Sequence, residues 1–172
     1  MDPRNRNQNN RGPRQPREQL DSEFFERVVQ VNRVSKKTKG GNKIGFSVLV
    51  VVGDKKGKVG VGLGKAPDVS SAIRKGLAFA KKHMIHVPII NETIPFQIHL
   101  KRGAAKILLK PAPRGSGVIA GGAVRSVVSA AGIANISSKV LGTKNQASNV
   151  YATIEALQAI ASRYDRIQLQ KR

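Results

Sequence analysis

Cysteine is absent from the 172 residues. That excludes a disulfide framework, a thiolate zinc site and a cysteine nucleophile. Aromatic residues are few, at 4%, so the core that the 40% apolar residues can build is an aliphatic one. Long hydrophobic runs are missing as well. The longest unbroken aliphatic stretch, Val48 to Val52, falls far short of the roughly 20 residues that span a bilayer. No apolar segment follows the N-terminal charges, so no secretory signal is expected. Acids are scarce, Asp+Glu 10 against Lys+Arg 31, for a net charge of +21. The length suits one ordinary domain or two small ones. The expectation is a soluble, cytoplasmic, strongly cationic protein with no membrane partner.

The charge is spread along the chain. Residues 1–20 carry +3, residues 21–88 carry +9 and residues 89–172 carry +9. A positive field over a compact body, with few acids to neutralise it, calls for a polyanion. No stretch combines a basic face with Trp, Phe or Leu at helical spacing, which favours nucleic acid over a membrane surface.

Residues 1–20, rich in Asn, Gln, Arg and Pro, cannot bury enough surface to offset chain entropy and are expected to be disordered in isolation. Such a tail is either a solubilising segment or an RNA-tethering arm. From Phe24 the pattern changes. Phe25 to Val31 is β-prone, with Val29, Val31 and Arg27 on one face. Ile44 to Val52 alternates Phe46, Val48, Val50 and Val52 with Gly45, Ser47, Leu49 and Val51. Gly53 to Gly57 is a hairpin connection. In Lys58 to Gly64 the three glycines 60, 62 and 64 share a face, implying close approach of another backbone, helix or RNA. Asp68 is the expected N-cap of a helix, with Val69, Ile73, Leu77, Ala80 and Met84 inward and Arg74, Lys75, Lys81 and Lys82 outward. Beyond Pro88, strands are expected at Thr93 to Leu100 and Ala105 to Leu109, a helix from Ala123 to Ala131, a strand from Ile136 to Leu141, and a last helix from Asn149 to Ser162. The fold class is α+β in two small domains, β-β-β-α over 21–88 and β-β-α-β-α over 89–165, with a basic C-terminal end at 166–172.

Catalytic and cofactor chemistry finds no footing. A phosphate-binding P-loop needs two glycines five apart, then Lys and Ser or Thr; Gly64-Lys65 is followed by Ala66 and preceded at 59 by Val. Gly115, Gly117 and Gly121 only loosely resemble a dinucleotide loop, and no acid lies near 140 to hold a ribose. His83 and His86, with His99 the only other imidazole, do not complete a metal ligand set. Glu92, Glu155 and Asp165, the only carboxylates of the second half, stand beside no nucleophile. The chain is expected not to be an enzyme and to need no cofactor, metal or small-molecule substrate.

The strongest local signal is Asn32 to Lys43, NRVSKKTKGGNK, with five cations and no acid between two apolar strands. Read as a loop, it repels itself unless an anion neutralises it. Arg33, Lys36, Lys37, Lys39 and Lys43 supply charge. Ser35, Thr38, Asn42 and the amides of Gly40 and Gly41 add neutral donors for phosphate oxygens and 2′-hydroxyls. Lys55, Lys56, Lys58 and Lys65 extend this candidate RNA-binding set. The scarcity of stacking aromatics points to recognition of folded RNA by backbone and shape.

Taken together, VNRVSKKTKGG (31–41), VVVGDKKGKVGVGLGKA (50–66), LLKPAPRGSGVIAGGAVR (108–125) and NVYATIEAL (149–157) resemble ribosomal protein five of the bacterial small subunit, in the right order from about residue 24 to 162. The resemblance implies a first domain similar to double-stranded-RNA-binding folds and a second of βαβα type. It implies binding to small-subunit ribosomal RNA in the cytoplasmic ribosome, with Val34 to Gly41 reaching the head–body junction near the spectinomycin site. It further implies contacts with ribosomal proteins four and eight, and a place near the messenger RNA entry. Arg114, Gly115, Gly117, Gly121, Gly122 and Arg125 would form a protein interface that bears on decoding fidelity. Asn42 stands where the family usually has Arg, with Lys43 keeping a charge next door. A free-standing double-stranded-RNA binder and a nucleotide-dependent enzyme using the glycine loops are the alternatives.

Overall fold

The computed structural model describes residues 24–170. The expected tail at 1–20 lies outside the described residues, as do the last two positions of the basic end. Within them the order is β1 (Phe25–Thr38), β2 (Gly41–Gly53), β3 (Lys58–Ala66), α1 (Val69–Lys82), β4 (Ile85–His86), β5 (Ile98–Arg102), β6 (Ala105–Pro111), β7 (Val118–Ile119), α2 (Gly122–Ala131), β8 (Ile136–Val140) and α3 (Gln146–Gln170). Two four-stranded sheets result, ordered β1-β2-β3-β4 and β5-β6-β8-β7. The α+β class and the two-part plan of the sequence reading are what form.

From Ser47 to Gly53, strand β2 is buried on both faces, which explains why its apolar run is continuous rather than alternating. Val48 and Val50 lie under α1, whereas Leu49 and Val51 join the core shared with the second half of the chain. Each fully buried Val or Leu contributes roughly 1.5–3 kcal/mol. The glycine stripe of β3 is met by a helix. A Cβ on Gly60, Gly62 or Gly64 would fall 2.3, 2.1 or 1.9 Å from the carbonyl oxygen of Ala80, Gly76 or Ala72. The centre line of the α1 contact is therefore Ala72, Gly76 and Ala80, all buried. Val69, Ile73 and Leu77, expected at the centre, flank it half-buried, because bare glycines draw the helix down onto its smallest residues. Asp68 caps α1 as expected, its Oδ2 accepting from the Ser71 amide at 3.1 Å. The helix stops at Lys82, and Met84 lies beyond it.

Several expectations are corrected. Residues 32–43 are not a loop: β1 and β2 continue through them as a ribbon closed by Lys39-Gly40, because Val34, Thr38 and Ile44 sustain the backbone ladder. A register shift between Val28 and Gln30 then puts Val28 and Val31 on one face, opposite Val50 and Val48. Thr93 to Gln97 is irregular, since Pro95 cannot donate to a ladder, and β5 begins only at Ile98. The pair of residues in β7, unforeseen, runs parallel to β8 with α2 as the crossover. Helix α3 starts earlier and ends later than expected: Asn145 Oδ1 accepts from the Ala147 amide at 3.0 Å, and no Gly or Pro interrupts the chain after Ser162.

One aliphatic core runs through both halves. Leu49, Val51, Val59 and Val61 of the first sheet pack with Ile107, Leu109 and Ile136 of the second, Val127 and Val128 of α2, and Leu157 and Ile160 of α3. Backbone seals the junction. The amides of Lys55 and Gly57 donate to the carbonyls of Ala130 and Ala131 at 3.1 and 2.9 Å. Gly132, at φ 87°, ends α2 directly against the Lys55 carbonyl, where a Cβ would be 2.0 Å away.

Candidate nucleic-acid interface

Strand β3 pairs with β2 only from Gly53 back to Phe46. Beyond that point β1 and β2 have only each other, and a two-stranded ribbon projects about 17 Å, five residues at about 3.4 Å each. Every residue from Val31 to Ile44 is exposed. The tip is held by Thr38, whose Oγ1 donates to the Gly41 carbonyl at 2.8 Å, and by Gly41 at φ 125°.

The register decides where the charge goes. Lys36 stands directly opposite Lys43, and Lys37 opposite Asn42. Like charges across a strand pair repel, and no acid lies between Glu26 and Asp54 to relieve them. Ser47 pairs with Lys65, and strand alternation puts Lys36, Lys43 and Lys65 on one face. These three lysines, with Val34, Ile44 and Pro67, line a cleft of about 420 Å³ at the ribbon's base. Arg33, Lys37 and Asn42 take the opposite face, Ser35 reaches the cleft beside its partner Ile44, and Lys39, Gly40 and Gly41 form the tip.

Lys55, Lys56 and Lys58 are not part of this patch. They sit at the other end of β2, about 40 Å from the ribbon tip and about 23 Å from Lys65 at the rise of an extended strand. There Asp54 organises the turn, its Oδ1 accepting from the amides of Lys56 and Lys58 at 2.7 and 2.9 Å. Burial pulls the Asp54 carboxyl up, but those two amides and the Lys58 charge outweigh it and hold its pKa below the ordinary aspartate value. Lys55, at φ 56°, turns its ammonium over the Phe25 ring, 4.7 Å from the centroid. Lys56 and Lys58 share a cleft with Lys81 and Met84, where Lys81 is paired with Glu26 at 2.8 Å.

The second-half candidates cluster around the start of α2. Gly115 and Gly117 need their positive φ, 86° and 70°. The Gly117 amide donates to Asn135 Oδ1 at 3.1 Å, and Asn135 Nδ2 donates to Glu92 Oε2 at 3.1 Å. Glu92, at φ 66° in the turn after Ile90, also receives the amides of Ala134 and Asn135 on its carbonyl. This half-buried bracket, centred on the buried Asn135 and absent from the sequence reading, positions Arg114 to Gly117; the signal for it was a lone Asn between Ile133 and Ile136. Arg125 donates from Nη2 to the Val118 carbonyl at 3.2 Å and ties β7 to α2. Gly121 and Gly122 form the bare start of that helix.

His83 and His86 part company. The His83 ring stacks on Phe79 at 4.2 Å with Nδ1 2.9 Å from the Phe79 carbonyl oxygen, whereas His86 lies in β4. Glu155 is occupied by Arg102 at 3.1 Å. Among the described residues no group of three or more His, Asp or Glu could hold a metal ion, and no helix is long and apolar enough to cross a membrane.

Comparison with known families gives two matches in chain order. Residues 24–88 match the family described as ribosomal protein S5, N-terminal domain, and residues 100–171 match ribosomal protein S5, C-terminal domain. The first match holds the basic ribbon and the glycine-packed helix, and the second holds the bracketed loop and α2. The chain belongs to the ribosomal protein S5 family, whose members are non-enzymatic, RNA-binding structural components of the small ribosomal subunit.

Proposed function

We propose that the ribbon from Arg33 to Lys43, with Lys65 at its root, is the arm by which this protein grips small-subunit ribosomal RNA at the head–body junction. The observation that carries this is the opposition of Lys36 and Lys43 on an unsupported ribbon with no acid. Repulsion of that kind persists in a stable protein when phosphate relieves it. Ser35 and Asn42 add donors that suit the sugar edge of folded RNA, and the Thr38 hydroxyl oxygen, its proton held by Gly41, adds an acceptor. Lys56 and Lys58 make a second, separate contact at the far end of the sheet, with Lys55 bracing the turn between them and α2.

On the same reading, the Arg114 to Gly117 loop and Arg125 face ribosomal protein four. Their packing there influences decoding accuracy near the messenger entry, and another face meets ribosomal protein eight. What supports this is a rigid, exposed loop held from beneath by Asn135 and Glu92. Replacing Lys36, Lys37 and Lys39 together with Glu tests the grip. The expected outcome is an unchanged circular dichroism spectrum, with affinity for small-subunit RNA down by about a hundredfold or more at 0.15 M salt and defective subunit assembly. Normal assembly by that variant would reject the ribbon's role.

A further inference from the structure

The sheet of the second half is packed on one face. Ile107 and Leu109 of β6 and Ile136 of β8 turn inward to the shared core. Strand alternation then turns Lys106, Leu108 and Lys110 outward, and burial agrees: both lysines are exposed, with Leu108 half-buried between them. The register completes the outward face. Lys106 stands opposite Lys101 on β5, and Leu108 lies between His99 of β5 and Lys139 of β8. His99, Lys101 and Lys139 are exposed as well. Four lysines therefore share one patch, about 14 Å along β6 and about 10 Å across at ordinary strand rise and spacing.

An open antiparallel face is ordinarily polar, with charges of both signs mixed. Here the chain has no acid between Glu92 and Glu155, and those two carboxylates are engaged by Asn135 and Arg102. Lysine also guards sheet edges against pairing. That role accounts for Lys101 alone, because β5 is an edge strand while β6 and β8 lie inside the sheet. Lys101 and Lys106, directly opposed, repel. From Lys106 to Lys139 to Lys110 the steps are about 8 Å, comparable with the screening length at physiological salt. The face holds a repulsion that a row of negative charges would relieve.

The composition also selects the partner. Protein interfaces are depleted of lysine and centre on apolar or aromatic side chains, whereas the centre here is a single half-buried leucine. Single strands are held by stacking their bases on aromatic rings, and none of these positions is Phe, Tyr or Trp. A duplex, which presents phosphates at fixed spacing and keeps its bases inside, fits what is left. We propose that the outward face of β5, β6 and β8 docks the phosphate backbone of double-helical RNA, Lys101, Lys106, Lys110 and Lys139 each meeting a phosphate. The proposal rests on the RNA-binding reading above and adds a contact on the other half of the molecule, one that positions RNA without reading its sequence.

The test compares the full-length parent with three variants. Lys106→Gln with Lys139→Gln alters the face, and Lys36→Gln with Lys37→Gln and Lys39→Gln alters the ribbon. Lys75→Gln with Lys82→Gln removes the same charge as the face pair from the exposed side of α1. Each protein is titrated with an RNA hairpin and with an unstructured single strand of equal length, from about 50 to about 200 mM salt. The face pair should weaken hairpin binding about tenfold near physiological salt and make the slope of log K against log salt shallower by about two units. The α1 pair should leave that slope within about half a unit of the parent's. Because the altered lysines are exposed, all variants should keep the parent's melting temperature. A face pair indistinguishable from the α1 pair would overturn this proposal, and continued loss by the ribbon variant would then leave the ribbon reading standing. Loss by the face pair beside an unaffected ribbon variant would do the reverse. Equal loss on the single strand would overturn the duplex assignment, and a parent that binds neither RNA would reject both readings.

Discussion

A Cβ on Gly62 would stand 2.1 Å from the Gly76 carbonyl oxygen, so at this position a single methyl group must push helix and sheet apart. Gly62→Ala is expected to destabilise the protein by about 3 kcal/mol, at the upper end of overpacking costs because the obstructing atom is backbone. Gly40, with nothing within 4 Å, is the control: Gly40→Ala should stay within about 0.5 kcal/mol of the parent. Thermal denaturation of the two variants checks the contrast, and equal melting temperatures would contradict it. The stripe of residues 60, 62 and 64 was legible in the sequence because strand alternation alone puts three missing side chains on one face. The partner residues were not, since helical periodicity favoured the bulkier Val69, Ile73 and Leu77 over Ala72 and Gly76.

At the scale of elements, strands and helices with two apolar faces or one clear stripe were readable, and those whose partners come from far along the chain were not. The ribbon has the composition of a loop, and backbone pairing over its whole length is what makes it a strand pair. Strand β7 has two residues and exists through β8. The Glu92–Asn135–Gly117 bracket joins positions 43 and 18 residues apart, a separation that no local pattern discloses. Asn135→Ala should therefore cost about 1–3 kcal/mol by stranding the Gly117 amide. Hydrogen exchange at Gly117 should speed up while that of β2 and β6 changes only with global stability. Unchanged exchange at Gly117 would mean that the bracket does not hold the loop.

At the scale of the whole molecule, we propose a boundary between units 21–88 and 89–165 at Pro88 and Ile89; their described residues share the aliphatic core and the backbone seal at Lys55, Gly57 and Gly132. The sequence showed the two units and their charge, but not that they are welded, because the weld is made by carbonyls and amides rather than by distinctive side chains. A welded body holds the ribbon at one end and Lys56 and Lys58 at the other, which sets the two proposed RNA contacts a fixed distance apart. The most direct test of the ribbon as an electrostatic grip is the salt dependence of affinity for small-subunit RNA, comparing the parent with a variant carrying Lys36→Gln, Lys37→Gln and Lys39→Gln. Three fewer phosphate contacts should make the slope of log K against log salt shallower by about two to three units. Identical slopes would contradict the account.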